Sequence, residues 1–285
     1  LKNFYFGAGF NAFGIASAGG AGRALAEWIA GGEAPMDLWP VDIRRFGKPH
    51  QSTEWVRTRT LEAYGKHYTM AWPFEEHHSG RPLRVSPLYA KLKEHRAVFG
   101  EKMGWERANW FAPSGVEAKD RYSYGRQNWF PYVAEEHRTC REAVALFDES
   151  SFAKFSLVGK NAERALQWIC ANDIAKPIGS LTYTQMLNSR GGIECDLTVA
   201  RLAEDFFYIV TGTGFRTHDF AWIVDHLRPG LEAKLTDITE QYGTLSVMGP
   251  KSRAVIQAVT KTDMSNAAFK FGEVLEIEIA GHKVR

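Results

Sequence analysis

The sequence predicts an α+β fold with mixed or antiparallel sheets, and three observations point there. Segments of period-2 and period-3.6 apolar patterning interleave along the chain, without the strand–helix–strand regularity that a parallel sheet needs. One stretch, residues 183–199, reads as strand, turn and strand. Tyr183, Gln185 and Leu187 alternate with Thr184, Met186 and Asn188; residues 188–192 carry turn chemistry with two glycines free to take positive φ; Leu197-Thr198-Val199 opens the return. At 285 residues, 45% hydrophobic and 24% charged, the chain has an ordinary globular composition and room for about two domains.

Taken in order, residues 4–29 predict a glycine-rich loop leading into a helix that carries Leu25, Trp28 and Ile29 and ends at Gly31-Gly32. The glycines either bring backbone N–H groups up to a cofactor at a helix N-terminus or let the helix pack closely. Residues 53–64 predict a helix. Ser86 as N-cap with Pro87 at the first helical position predicts another, running to about residue 99. Residues 110–130 have little periodicity and read as a long connection. A helix is expected over 137–147 with Cys140, Ala143, Val144 and Phe147 on one face, followed by a strand at 155–158 and a helix at 160–171 with Ala162, Leu166 and Ile169 inward. Beyond the hairpin, 206–210 is a buried strand and 211–214 a turn. Thr217 caps a helix with Phe220, Ile223, Val224 and Leu227, which Pro229-Gly230 stops. A strand at 244–248, a helix from Gly249-Pro250 through Val259, and a half-exposed strand at 273–279 complete the reading.

Composition excludes some partners. With 35 basic and 33 acidic side chains the net charge is +2, which gives no footprint for nucleic acid or a membrane surface. No apolar run reaches the roughly 18 residues needed to span a bilayer. Three cysteines, Cys140, Cys170 and Cys195, form no C-x-x-C and are odd in number, which fits a reducing compartment. Adjacent His77-His78 point apart in most conformations and have no spaced cysteine or carboxylate set, so no metal is expected there. The start at Leu1 and the stop at Arg285 both read as cuts through structure, so a fragment of a longer protein is expected.

Asp196 is the lone carboxylate where the return strand begins. It pays a desolvation cost unless a cation or a hydrogen-bond donor meets it, or it is simply a surface residue at a strand end. The text around it, Y-T-x-M-L-N-x-x-G-G-x-x-x-D-L-T-V, resembles the folate-binding signature of the glycine-cleavage aminomethyltransferases. It is more similar still to the C-terminal half of the sarcosine and dimethylglycine dehydrogenases, which the continuation D-L-T-V-A-R-L favours. G-F-N-x-x-G at residues 9–14 resembles the last flavin-contacting segment of amine-oxidising flavoproteins, and W-P-V-D-I-R-R-F at 39–46 resembles the end of that flavin domain. The order Gly80-Arg81-Pro82, Ser86-Pro87-Leu88-Tyr89, Gly104-Trp105-Glu106-Arg107 resembles the central domain of the same dehydrogenases.

The resemblance implies an aminomethyltransferase-like folate-binding domain at 110–285, a small central domain at 47–109 and the tail of an FAD-dependent oxidoreductase domain at 1–46. It implies an FAD- and tetrahydrofolate-dependent demethylation of an N-methyl amino acid, sarcosine or dimethylglycine, in the cytoplasm or, in a eukaryote, the mitochondrial matrix. Asp196 is then the catalytic carboxylate. Tyr183, Met186, Asn188, Thr211 and Phe215 line the folate, although the aminomethyltransferases carry an asparagine where this chain has Thr211. Gly9, Phe10, Asn11 and Gly14 touch the flavin edge. Tyr208 is either a wall of the folate site or core, and Arg190, Arg201 and Arg216 are candidates for the anionic folate tail. A stand-alone aminomethyltransferase and a non-catalytic folate-binding module are the competing readings.

Overall fold

The computed structural model describes residues 4–285. It divides into two units, Leu1–Arg45 and Phe46–Arg285. The first holds one long helix, α1 (Gly14–Gly31), ended as expected by a left-handed Gly32 at φ 79°. None of its residues is buried, and Ile15 is 97% exposed.

In the second unit, α2 (Thr53–Gly65) starts on Ser52, whose hydroxyl accepts the Trp55 N–H at 3.0 Å. The Ser86-Pro87 helix is shorter than its sequence suggests. It is α3 (Tyr89–Glu94), because Arg96 turns left-handed at φ 65° and sends the chain into a hairpin of β1 (Ala97–Lys102) and β2 (Trp105–Phe111). Residues 112–129 have neither helix nor strand.

The helix expected at 137–147 is displaced. α4 (Phe130–Glu142) begins seven residues earlier, on a Pro131 at its start, and residues 145–148 form a strand, β3 (Ala145–Asp148). Tertiary pairing decides this. β3 is antiparallel to β9 (Leu245–Met248), and Gly249 leaves β9 at φ +123° so close to α4 that a Cβ there would lie 2.4 Å from the Ala143 carbonyl. β4 (Ala153–Val158) and α5 (Ala162–Ile169) follow as read, with the helix shorter at both ends.

β5 (Leu181–Leu187), β6 (Ile193–Ala203) and β7 (Phe206–Thr211) form a meander, then α6 (Arg216–His226) and β8 (Lys234–Asp237). The helix starts at Arg216, one residue before Thr217. The sheet order is β5-β6-β7-β4-β8 with antiparallel neighbours throughout. One face is the core: Phe155, Leu157, Met186, Leu197, Phe207 and Ile209 are at most 2% exposed beneath Leu166 of α5 and Ile223 of α6. α7 (Ser252–Gln257) is shorter than its sequence suggests. Of 273–279, only β10 (Ile277–Ile279) is strand, paired with β11 (His282–Val284), while Glu273 makes a single bridge to Ser180. Among the described residues no helix is long and apolar enough to cross a membrane.

Candidate functional site

Antiparallel pairing sets Asp196 opposite Gln185 and Tyr183 opposite Thr198. Successive strand side chains alternate between faces. Leu181, Tyr183, Gln185 and Leu187 therefore share the open face with Asp196, whereas Thr182, Thr184 and Met186 go into the core. Asp196 is exposed and Tyr183 is 61% exposed. Two neutral donors meet the carboxylate. Gln185 Nε2 donates to Oδ1 at 3.2 Å, and the Tyr183 hydroxyl bonds it, which pushes the phenol above its ordinary pKa. Asp196 is a solvent-facing acceptor beside an aromatic ring, three residues inside β6 rather than at its first position.

Two residues expected to contact folate, Met186 as a wall and Thr211 at the pterin edge, lie on the other face. Met186 is fully buried, and Thr211, at 3% exposure, pairs with Leu197 on the core side. Its hydroxyl donates to Asp219. Neither shares the Asp196 face, because both have the wrong strand parity. Asn188 is engaged in the turn: its Oδ1 accepts from Arg190 N at 3.0 Å and Gly192 N at 2.8 Å, and its Nδ2 donates to Glu194 at 2.8 Å. A Cβ on Gly192 would fall 2.8 Å from Asn188 Nδ2, so a larger residue there would push the Asn188 side chain out of the turn. Phe215 ends the short 3-10 turn Thr213–Phe215 and is half exposed. Tyr208 is half-buried, edge-on to Tyr242 at 6.1 Å. Arg216 pairs with Asp237 at 2.6 Å, and Arg201 pairs with Glu163.

In the first unit, Gly9 stands at φ 79° and Asn11 at φ 46°, and Gly14 opens α1. The first turn of α1 carries no acidic side chain and no side-chain cap, and a Cβ on Gly9, Gly19, Gly20 or Gly22 would meet nothing within 4 Å. Close packing within the described residues therefore does not account for these glycines. Only the first turn of α1 presents backbone N–H groups without a side-chain cap, a setting that suits a polar or anionic group.

Three features escaped the sequence reading. Lys154, fully buried in β4, donates through Nζ to the Ser150 carbonyl at 2.8 Å and weakly to Thr239 at 3.4 Å, and burial lowers its pKa to about 8. Its only sequence signal is a lysine inside the apolar run A-K-F-S-L-V. A cavity of about 600 Å³ lies between residues 83–87 with Trp105 and residues 239–243. On its wall the Arg84 guanidinium stacks 4.0 Å from the Trp105 centroid and bonds Glu240 at 2.7 Å. The third is a polar cluster on the core side of β6. His218 Nδ1 is 2.9 Å from Asp219 Oδ1, His218 Nε2 is 3.4 Å from Glu194, and Cys195 lies alongside. Burial opposes a charge on His218, but Asp219 and Glu194 outweigh it and raise the imidazole pKa. Burial, reinforced by Asp219, raises that of the Cys195 thiol.

The family description "GCVT N-terminal domain" matches residues 88–285, and "FAD dependent oxidoreductase central domain" matches residues 31–86. The chain is similar to the 4-methylaminobutanoate oxidase (formaldehyde-forming) of Paenarthrobacter nicotinovorans, 40% identical over 98% of this chain and 34% of that protein. It is also similar to the mitochondrial sarcosine dehydrogenase of Homo sapiens, 37% identical over 100% of this chain and 35% of that protein. The chain thus spans about a third of the length of these curated relatives. Among solved structures it resembles the glycine cleavage system aminomethyltransferase T of Bartonella henselae, with TM-score 0.56 and 25% identity over 68% of this chain and 48% of that one.

Proposed function

We propose, from the premise that this chain belongs to the GCVT N-terminal domain family, that it is part of an FAD- and tetrahydrofolate-dependent dehydrogenase that demethylates an N-methyl amino acid. In this reading residues 1–46 close a flavin domain, 47–109 connect, and 110–285 accept the one-carbon unit on tetrahydrofolate. The substrate is a small N-methyl amino acid such as sarcosine or dimethylglycine. The place of work is the cytoplasm, or the mitochondrial matrix in a eukaryote.

One observation carries the reading. Asp196, in the stretch that bears the family signature, presents its carboxylate on an open sheet face beside the exposed ring of Tyr183, with Gln185 as a neutral neighbour. A pterin amine needs such an acceptor and a flat aromatic wall. Tyr183 supplies the wall, Asp196 holds the attacking amine and takes its proton, and Phe215 extends the aromatic surface. Bound flavin supplies the oxidation that makes the methyl carbon electrophilic. The chain's share of that site is the uncapped, glycine-lined start of α1 around Gly9, Phe10, Asn11 and Gly14.

The test is Asp196→Asn in the complete enzyme, read as the ratio of methylenetetrahydrofolate to formaldehyde per oxidation. The amide keeps the size and loses the proton-accepting charge, so that ratio is expected to fall by about 10²–10⁴-fold while amine oxidation continues. An unchanged ratio would return Asp196 to the status of a surface strand residue.

A further inference from the structure

The core side of β6 holds an arrangement that the one-carbon chemistry does not use. Cys195 of β6 and the consecutive pair His218-Asp219 in the first turn of α6 converge, so that a thiol sulfur, an imidazole nitrogen and a carboxylate oxygen all lie within 4.8 Å of one another. Cys195 and Asp219 are each 1% exposed, and His218 is half-buried. From these residues we infer a binding site for a borderline-soft divalent cation, zinc above all, with Cys195 Sγ, His218 Nδ1 and Asp219 Oδ1 as ligands.

Donor chemistry is the first argument. One sulfur, one nitrogen and one oxygen ligand suit zinc, whose bonds to S, N and O run about 2.0–2.3 Å. Tetrahedral ligands at those lengths stand roughly 3–4 Å apart, so the 2.9 Å separation of Nδ1 and Oδ1 has to open by a few tenths of an ångström, and a separation as wide as the 4.8 Å bound of the cluster has to close by about 1 Å. Three protein ligands leave a fourth tetrahedral position open.

The outer partners are the second argument, and they separate this cluster from a chance meeting of polar groups. A metal-bound histidine characteristically donates its other ring N–H to a carboxylate, and the ligating carboxylates are themselves hydrogen-bonded. Here His218 Nε2 faces Glu194 Oε2 at 3.4 Å. Glu194 is in turn fixed by Asn188 Nδ2 at 2.8 Å on its other oxygen. The second oxygen of Asp219 accepts the Thr211 hydroxyl. Every ligand that can be oriented from outside the ring is so oriented, and the orienting residues come from the hairpin turn, from β6 and from β7.

The same geometry argues against a catalytic thiol. His218 directs its nitrogens at two carboxylates and not at the sulfur, so no base is aimed at the Cys195 thiol. On binding, the thiol proton and the Nδ1 proton leave to solvent and the sulfur and nitrogen lone pairs go to the metal. Affinity therefore rises with pH. The cation would pin β6 to α6 directly behind Asp196.

The experiment adds Co²⁺ alone to the purified, chelator-treated chain and follows its visible and near-ultraviolet spectrum, then displaces it with Zn²⁺. The expected result is about one Co²⁺ per chain, with a thiolate-to-cobalt band that Zn²⁺ abolishes. Cys195→Ser should remove the band and Cys140→Ser should leave it. Glu194→Gln should weaken the metal by roughly 10–100-fold with the fold intact by circular dichroism. If Cys195→Ser does not fold, the Glu194→Gln affinity decides. No thiolate band in the native chain, a band that survives Cys195→Ser, or unaltered affinity in Glu194→Gln would each overturn the site and leave a proton, held between His218 and Asp219, as the only cation of the cluster.

Discussion

The two faces of the β5–β6 hairpin differ sharply in burial. On the core face Thr184, Met186, Cys195 and Leu197 are at most 2% exposed. On the other, one residue along each strand, Tyr183 and Asp196 stand open with Gln185 half-buried between them. The same backbone ladder holds both sets, so stability and candidate chemistry are separated by a single step of strand parity. The core face is where a substitution should cost folding. The open face is where it should cost function alone.

The sharpest test exchanges the two kinds of loss. Met186→Ala should remove about 2–5 kcal/mol of stability and leave the product partition of the folded fraction intact. Asp196→Asn, beyond its loss of one-carbon capture, should move stability by no more than about 0.5 kcal/mol. Urea melts of both variants check this, and a destabilisation of Asp196→Asn approaching that of Met186→Ala would break the distinction.

Next in size is the buried amine of Lys154. Its ordinary pKa of 10.5 falls to about 8 in the fold. Between those values the unfolded chain holds the proton that the folded chain has shed, so the group makes the fold more stable as pH rises through that window. The gain is on the order of 3 to 3.5 kcal/mol, at about 1.4 kcal/mol per unit. Lys154→Met should flatten this rise relative to the unaltered chain, measured as the difference between the two stability curves over pH 7–11. Identical slopes would mean that Lys154 titrates as a solvated lysine.

Thr211→Val keeps the shape but takes the hydroxyl from Asp219, which is 1% exposed. That should cost about 1–3 kcal/mol, visible as a lower melting midpoint at unchanged slope. The smallest effect belongs to Tyr183→Phe. The ring remains and the bond to Asp196 goes, so stability should stay within about 0.5 kcal/mol and capture should drop far less than in Asp196→Asn. A loss as large as that of Asp196→Asn would make the phenol, and not the carboxylate, the group that matters on the open face.

How much of this was legible beforehand depends on the range of the interaction. Local rules were enough for the helix stop at Gly32, the Ser52-capped α2 and the turn closed by Asn188 with Gly191 and Gly192, because each needs only a few neighbouring residues and the φ that glycine permits. The opposite facing of two expected wall residues was also within reach. Tyr183 and Met186 have opposite parity along one strand, so they cannot face the same ligand whatever surrounds them. Residues 145–148 show the limit. Their apolar spacing suits a helix, and they are strand because β9, about a hundred residues later, offers a ladder that local propensity cannot outweigh.

What the sequence determined by itself, then, is alternation, turns and caps, and with them the fact that Asp196 and Cys195 face opposite ways. Only the tertiary structure decided which of those faces is covered. It laid α5 and α6 over one side, burying Met186 and bringing His218 and Asp219 against Cys195 from more than twenty residues away. The periodicity of a strand is fixed by its own backbone geometry, whereas the burial of a face is fixed by whatever apolar surface the rest of the chain brings to it.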